Sequence, residues 1–178
     1  ESVQKALSLR FKYGVGQEFS KYVKYPRTYH LPWSPTPAKD DRQMTTTQAL
    51  EGQRVIVTEK MDGENTTMYD DYIHARSVDG RSHPSRAWVK NFHANHVAWK
   101  IDPDTRICGE NLYAVHSIEY TLDSYFLGFA MWERDVCLSW DETRMYLEIL
   151  DIPIVPVLYD GIFNISKIKE ATSGLDPE

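Results

Sequence analysis

Arg54-Val55-Ile56-Val57-Thr58-Glu59-Lys60-Met61-Asp62-Gly63-Glu64 is the stretch on which the reading of this chain turns. Its first five residues are rich in β-branched side chains, which suit a pleated, half-buried surface, and they predict a strand. The strand breaks at once into a charged turn. Gly63 permits a positive φ or close backbone approach by a ligand. A lysine therefore stands at a strand end, ahead of a tight turn, among Glu59, Asp62 and Glu64. Lysine attacks as a nucleophile only in its neutral form. Neighbouring carboxylates favour the charged form unless a metal ion offsets them. The cluster makes chemical sense with bound Mg²⁺ and a nucleotide phosphate. As a bare pattern it suits a charged surface turn better.

Working outward, Asn65 to Tyr69 and Tyr72 to Ser77 read as strands joined as a hairpin at Asp70-Asp71. Pro84 to Lys100 predicts a helix. Proline suits its first turn, and Trp88, Phe92 and Trp99 fall near one face, flanked by Val89 and Val97. Arg106 to Tyr113, Tyr125 to Trp132 and the short Asp135 to Leu138 read as strands. Ser139-x-x-Glu142 is a capping box that opens a second helix. Ile154 to Leu158 reads as a strand, and Asn164 opens a last helix that dissolves at Ser173-Gly174. Strands with two or three inserted helices, without βαβ alternation, predict an α+β fold with antiparallel sheets. Upstream, residues 25–45 hold four of the nine prolines. This segment reads as extended, with Tyr29, Leu31 and Trp33 as anchors. The expected organisation is a basic lead-in over residues 1–24 and one domain over residues 25–178.

The 178 residues suit one domain, or one domain with an arm. With 20 Lys+Arg against 26 Asp+Glu the formal charge is −6, and the 42% apolar content excludes a wholly disordered chain. Residues 1–42 carry eight Lys/Arg and four Asp/Glu, whereas residues 43–178 carry twelve and twenty-two. The basic stripe is thus confined to the arm, at Lys5, Arg10, Lys12, Lys21, Lys24 and Arg27. An acidic body argues against strong nonspecific DNA binding. No apolar run reaches membrane-spanning length, and no membrane partner is expected. Two cysteines, Cys108 and Cys137, make at most one bridge, so a reducing, cytoplasmic setting is the simpler expectation. The oligomeric state stays open.

Lys60-Met61-Asp62-Gly63 resembles motif I of the covalent nucleotidyltransferases, which comprise RNA ligases, DNA ligases and mRNA capping enzymes. Other landmarks follow in order. Ile107-Cys108-Gly109-Glu110-Asn111-Leu112 resembles motif III. Tyr125-Phe126-Leu127-Gly128-Phe129 resembles motif IIIa. His74-Ala75-Arg76-Ser77 resembles the arginine-bearing strand of RNA ligases. Tyr25 to Asp41, with its HLPWSP core, is similar to the lead-in of T4-phage-like RNA ligases. The resemblance implies a nucleotidyltransferase domain with ATP and Mg²⁺ as cofactors, and RNA 5′-phosphate and 3′-hydroxyl ends as partners. It implies that Lys60 takes AMP from ATP, that Glu110 contacts the ribose hydroxyls and that Arg76 contacts a phosphate or a nucleotide hydroxyl. Phe126 would stack on adenine, with Phe129 as the alternative because strand alternation turns the two to opposite faces. The Glu59 backbone would face the adenine edge. Asp62, Gly63 and Glu64 would shape the turn or orient metal-bound water. Mg²⁺ would be held through waters, with Asp62 or Glu110 as its nearest carboxylates. Arg54 or Arg42 would reach the β,γ-phosphates.

The family's motif IV, a Glu-Gly pair, is not found after motif IIIa, nor is motif V, a Lys-x-Lys pair, found beyond a motif IV, and the sequence stops about where motif IV is due. An incomplete chain is the expectation. A non-catalytic nucleotide- or RNA-binding module, a DNA ligase or capping-type enzyme, and an unrelated α+β domain are the rivals. Among weaker signals, His93 and His96 have zinc-like spacing without further ligands, and His116 follows motif III. Arg81 and Arg86 flank a helix start where RNA phosphates could bind. Trp33 is the tryptophan best placed for ligand stacking. Cys108 defaults to a small buried hydrophobe. Gly14-Val15-Gly16 lacks phosphate-loop spacing.

Overall fold

The structure, a computed structural model, describes residues 21–35, 41–80, 83–113 and 124–175. Seven strands form two antiparallel sheets. The first strand, β1 (Arg54–Thr58), pairs only with the last, β7 (Val157–Ile162). Between them in sequence lie β2 (Glu64–Met68), β3 (Ile73–Ala75), β4 (Thr105–Asn111), β5 (Phe126–Glu133) and β6 (Val136–Cys137). These five make the main sheet in the order β3-β2-β4-β5-β6. The α+β expectation therefore holds, and the hairpin at Asp70-Asp71 is β2–β3.

One face of the main sheet is the core. Met68, Ile107, Phe126 and Met131 point from it onto Val89, Val97, Ile101, Leu147 and Leu150. The helical cover comprises α1 (Ala87–Phe92) and α2 (Trp140–Ile149), with α3 (Ile165–Thr172) following β7. The capping box on α2 forms as the sequence predicts, with Ser139 Oγ accepting from the Glu142 amide and the Glu142 carboxylate accepting from the Ser139 amide. Asn164 caps α3 in the same way through the Lys167 amide.

Three expectations need correction. The predicted helix over 84–100 is not uniform. It runs from a 3₁₀ turn (Pro84–Arg86) through α1 into a π-type turn (His93–Val97) and a final 3₁₀ turn (Ala98–Lys100). Its buried residues are Val89, His93 and Val97, with Ile101 just past its end, four apart each time. A straight α-helix drifts about 40° at each such step, and the wider π turn absorbs that drift. The same rotation turns Trp99 outward to 73% exposure, away from the face it was expected to share. Second, the last strand is Val157–Ile162 instead of 154–158. Pro153 and Pro156 deny this part of the chain two ladder donors, and Ile154 makes only an isolated parallel bridge to Gly128. Third, Tyr29 and Trp33 are surface residues instead of anchors. Tyr29 lies under Arg42, and Trp33 lies under Lys169 of α3.

Candidate active site

The two sheets meet at Lys60. The chain crosses from β5 to β1 between residues 153 and 157. Gly128 N–H donates to Pro153 O at 2.8 Å, and Val155 N–H donates to Gly128 O at 3.1 Å. One residue later, Pro156 O accepts from the Glu59 amide at 2.9 Å. This crossing fixes the end of β1. Met61 then turns inward to pack with Leu112, Leu127 and Val155, while Phe129 and Trp140 lie against that cluster. With Met61 buried, Lys60 points out and is exposed.

The turn after Lys60 is pressed onto the end of β4. A Cβ added at Gly63 would stand 2.6 Å from Asn111 O, 2.7 Å from Leu112 Cδ2 and 3.0 Å from Glu110 Cγ. Only glycine allows this approach. β2 then continues antiparallel to β4, with Asn65 opposite Glu110 and Thr67 opposite Cys108. Glu110 and Phe129 thus belong to the sheet face opposite the helices. Glu110 is half-buried, Phe129 is half-buried, and Arg76 is exposed directly after β3. Glu59, Lys60, Asp62, Gly63 and Glu110 are the expected site residues that the fold brings to one place. Cys108 lies deeper on the same face, where burial pushes its thiol up to about 11 and Thr67 Oγ1 is 3.7 Å away.

Other expected residues are committed elsewhere. Phe126 has no exposed surface. It fills the helix-side core, 6.1 Å from the Phe92 ring, and its edge occupies the space beside Gly109. A ring with no open face cannot stack on a base, so Phe126 is corrected in favour of Phe129. The Arg54 guanidinium is fully engaged by two carboxylates. Nε and Nη2 each donate to Asp160 at 2.7 Å, and Nη1 and Nη2 donate to Asp141 at 2.6 and 3.1 Å. These bonds fasten β7 and the first turn of α2 to β1, so Arg54 is not available for phosphates. They also hold both aspartates below the usual carboxylate range. Glu64 faces the helices, where Arg86 Nε and Nη2 donate to it at 2.7 and 2.5 Å. It does not orient water at the turn. Arg42, the other phosphate candidate, lies over Tyr29. His93 is buried and its Nε2 is 2.6 Å from Tyr69 O. Arg81, His116 and Gly14-Val15-Gly16 lie outside the described residues.

One neighbour of the site had no signal in the sequence. Tyr25 sets its ring 5.2 Å from that of Phe129 at an interplanar angle of 84°. The two are a hundred positions apart, and no periodicity links an irregular segment to a strand at that distance.

Among the described residues no group of three His, Cys, Asp or Glu side chains is placed to hold a metal ion. Concavities among the described residues include one of about 270 Å³ between the β2–β3 hairpin and α1, and one of about 500 Å³ beside Lys100, Met131 and Ile149. Lys60 and Glu110 line neither of them.

Comparison with known proteins identifies the family. The RNA ligase family model matches residues 53–177, which include the Lys60 turn, Glu110 and Phe129. The chain belongs to the RNA ligase family. Solved structures that match with a TM-score of 0.52 agree on the fold. A Naegleria gruberi RNA ligase mutant with ATP and Mn matches with a TM-score of 0.52 at 22% identity, over 65% of this chain and 39% of that one. A second mutant of the same ligase, with AMP and Mn, matches to the same extent. An archaeal ATP-dependent RNA ligase matches at 23% identity over 71% of this chain and 35% of that one, with a TM-score of 0.47. This RNA ligase family chain therefore spans about two fifths of the length of the Naegleria ligases. No curated protein matches the sequence. No described helix is long and apolar enough to cross a membrane.

Proposed function

We propose that this chain is the nucleotide-binding part of an ATP-dependent RNA ligase, with Lys60 as the residue that becomes adenylylated. The observation that carries the reading is the collision a side chain at Gly63 would make with Asn111 O and Glu110 Cγ. The Lys60 turn and a half-buried carboxylate, about fifty residues apart in sequence, are thereby built against each other, which supports the reading. The solved Naegleria relatives hold ATP or AMP with Mn, which supports the choice of nucleotide.

Lys60 Nζ attacks the α-phosphorus of ATP. The N–P bond forms as the bond to the pyrophosphate oxygen breaks, and pyrophosphate leaves with the electron pair. The proton released from Nζ passes to solvent. AMP is then transferred to an RNA 5′-phosphate, and a 3′-hydroxyl displaces it to seal the strand. Such chemistry depends on positioning and charge neutralisation more than on covalent help. Exposure of Lys60 leaves an in-line approach open, and the Pro156 anchor fixes the backbone that carries it. Glu110 would accept from the ribose hydroxyls, Phe129 would stack on adenine, and Arg76 would meet a phosphate. Mg²⁺, which supplies charge neutralisation, would arrive with the phosphates and be held through waters.

Intact mass spectrometry after incubation with ATP and Mg²⁺ tests the reading. A gain of one AMP is expected with ATP and not with GTP, and Lys60→Ala abolishes it. Gly63→Ala should reduce the adduct by at least tenfold, because the turn must lift off β4 by several tenths of an ångström and small displacements of reacting groups cost about that much. Nucleotide binding without an adduct in the unsubstituted protein would make this chain a binding module instead.

A further inference from the structure

The segment before the proline-rich stretch is fastened across the open face of the main sheet. At one end Lys21 Nζ pairs with Asp70 at 3.0 Å and Asp71 at 2.8 Å, in the β2–β3 turn. Tyr22 then lies tilted against Tyr72 at 4.3 Å and meets Tyr69 edge-on at 5.1 Å. Val23 exchanges two contacts with the Tyr69 hydroxyl, its N–H donating at 2.9 Å and its carbonyl accepting at 3.4 Å. At the other end Tyr25 meets the Phe129 ring on β5. Burial, with smaller effects from Cys108 and Cys137, pushes the Tyr25 phenol up to about 12, so its ring is neutral across the physiological range.

We propose that Tyr25 is a positioning residue for the base of the bound nucleotide. It acts through Phe129. An edge-to-face neighbour blocks one face or edge of a ring and fixes its χ angles, which leaves one defined surface for a base to stack on. The inference rests on the reading of Phe129 as the stacking residue. The Lys21, Tyr22 and Val23 contacts set the reach of Tyr25, so a segment outside the sheet sets the geometry inside the site.

The test uses AMP titration by calorimetry, together with the upfield ring-current shift of the adenine protons in ¹H NMR. Thermal melts confirm that each variant is folded. Phe129→Ala is expected to weaken AMP binding by tenfold or more and to remove the upfield shift. Tyr25→Ala should weaken binding by about threefold to tenfold, the size of an edge-to-face pair, and reduce the shift. Tyr25→Phe keeps the ring and should restore both. If Phe129→Ala has its effect while Tyr25→Ala binds as the unsubstituted protein does, the role of Tyr25 is overturned and the site reading stands. Tighter binding by Tyr25→Ala overturns it as well, because the segment would then be a cover. If Phe129→Ala changes nothing, or the unsubstituted protein does not bind AMP, the site reading itself falls and the proposal falls with it.

Discussion

The two faces of the main sheet are made by the same strands and do opposite work. The face toward the helices holds Met68, Ile107, Phe126 and Met131, all nearly without exposure. The opposite face carries Asn65, Glu110, Cys108 and Phe129, a mixture of polar, ionisable and aromatic groups. Strand alternation separates the two sets, and a bulge at Phe129, which has no partner in the register with β4, returns Met131 to the face of Phe126. The chain can therefore place a carboxylate at Glu110 and a tight core contact at Gly109 in adjacent positions. The lesson is that stability and chemistry are divided here by side-chain parity, so substitutions one or three residues apart should separate them.

The largest effect should come from testing that division directly. Phe126→Ala removes a fully buried ring from the core and is expected to cost about 3–5 kcal/mol in urea unfolding. That is a large share of the ~5–15 kcal/mol of a typical domain. Phe129→Ala, half-buried on the other face, should cost about 1–2 kcal/mol by area lost from water. If the two costs prove equal, the contrast between the faces is wrong.

A middle-sized effect sharpens the boundary between the faces. Glu64 begins β2 and points to the helix side, where Arg86 holds it in a largely covered pair. Arg86→Ala would strand that carboxylate and should cost about 2 kcal/mol. Its effect on AMP affinity should stay within twofold. A tenfold loss of affinity would move Glu64 and Arg86 into the nucleotide site.

The smallest effect concerns the small sheet. Arg54→Ala should lower the melting temperature by a few degrees at most, because the ion pairs it removes are exposed. Asp141 and Asp160 have lowered folded-state values, so their contribution is complete above the ordinary carboxylate pKa and disappears as pH falls through the folded values. The gap between unsubstituted protein and Arg54→Ala should therefore be constant from about pH 6 to 8 and close below about pH 4. A gap that persists in acid would assign Arg54 another partner.

Much of this architecture was legible in local sequence. β1 follows from Val55-Ile56-Val57, and α2 from Ser139 and Glu142, because β-branching and capping act within a few residues. The antiparallel character followed from the order of the elements. What could not be read depended on distant partners. β7 contains Asp160-Gly161, a weak strand signal, and forms because β1 offers an edge and Arg54 reaches Asp160 across it. Within the candidate site, Lys60, Gly63 and Glu110 were legible through the resemblance of their motifs to those of the covalent nucleotidyltransferases. The choice between Phe126 and Phe129 was not, because parity says that the two differ in face without saying which face the helices cover. The commitments of Arg54 and Glu64 were likewise invisible, since each partner lies twenty or more residues away.

The central claim is that nucleotide binds on the polar face, where the Lys60 turn meets Glu110. Amide chemical-shift mapping during an AMP titration tests it most directly. The largest shifts are expected at Gly63, Glu110 and Phe129, with little change at Val89, Val97 and Leu147 across the sheet. Shifts concentrated instead at Ser77, Val78 and Lys90, around the concavity between β3 and α1, would contradict the account and place the nucleotide on the wrong side of the sheet.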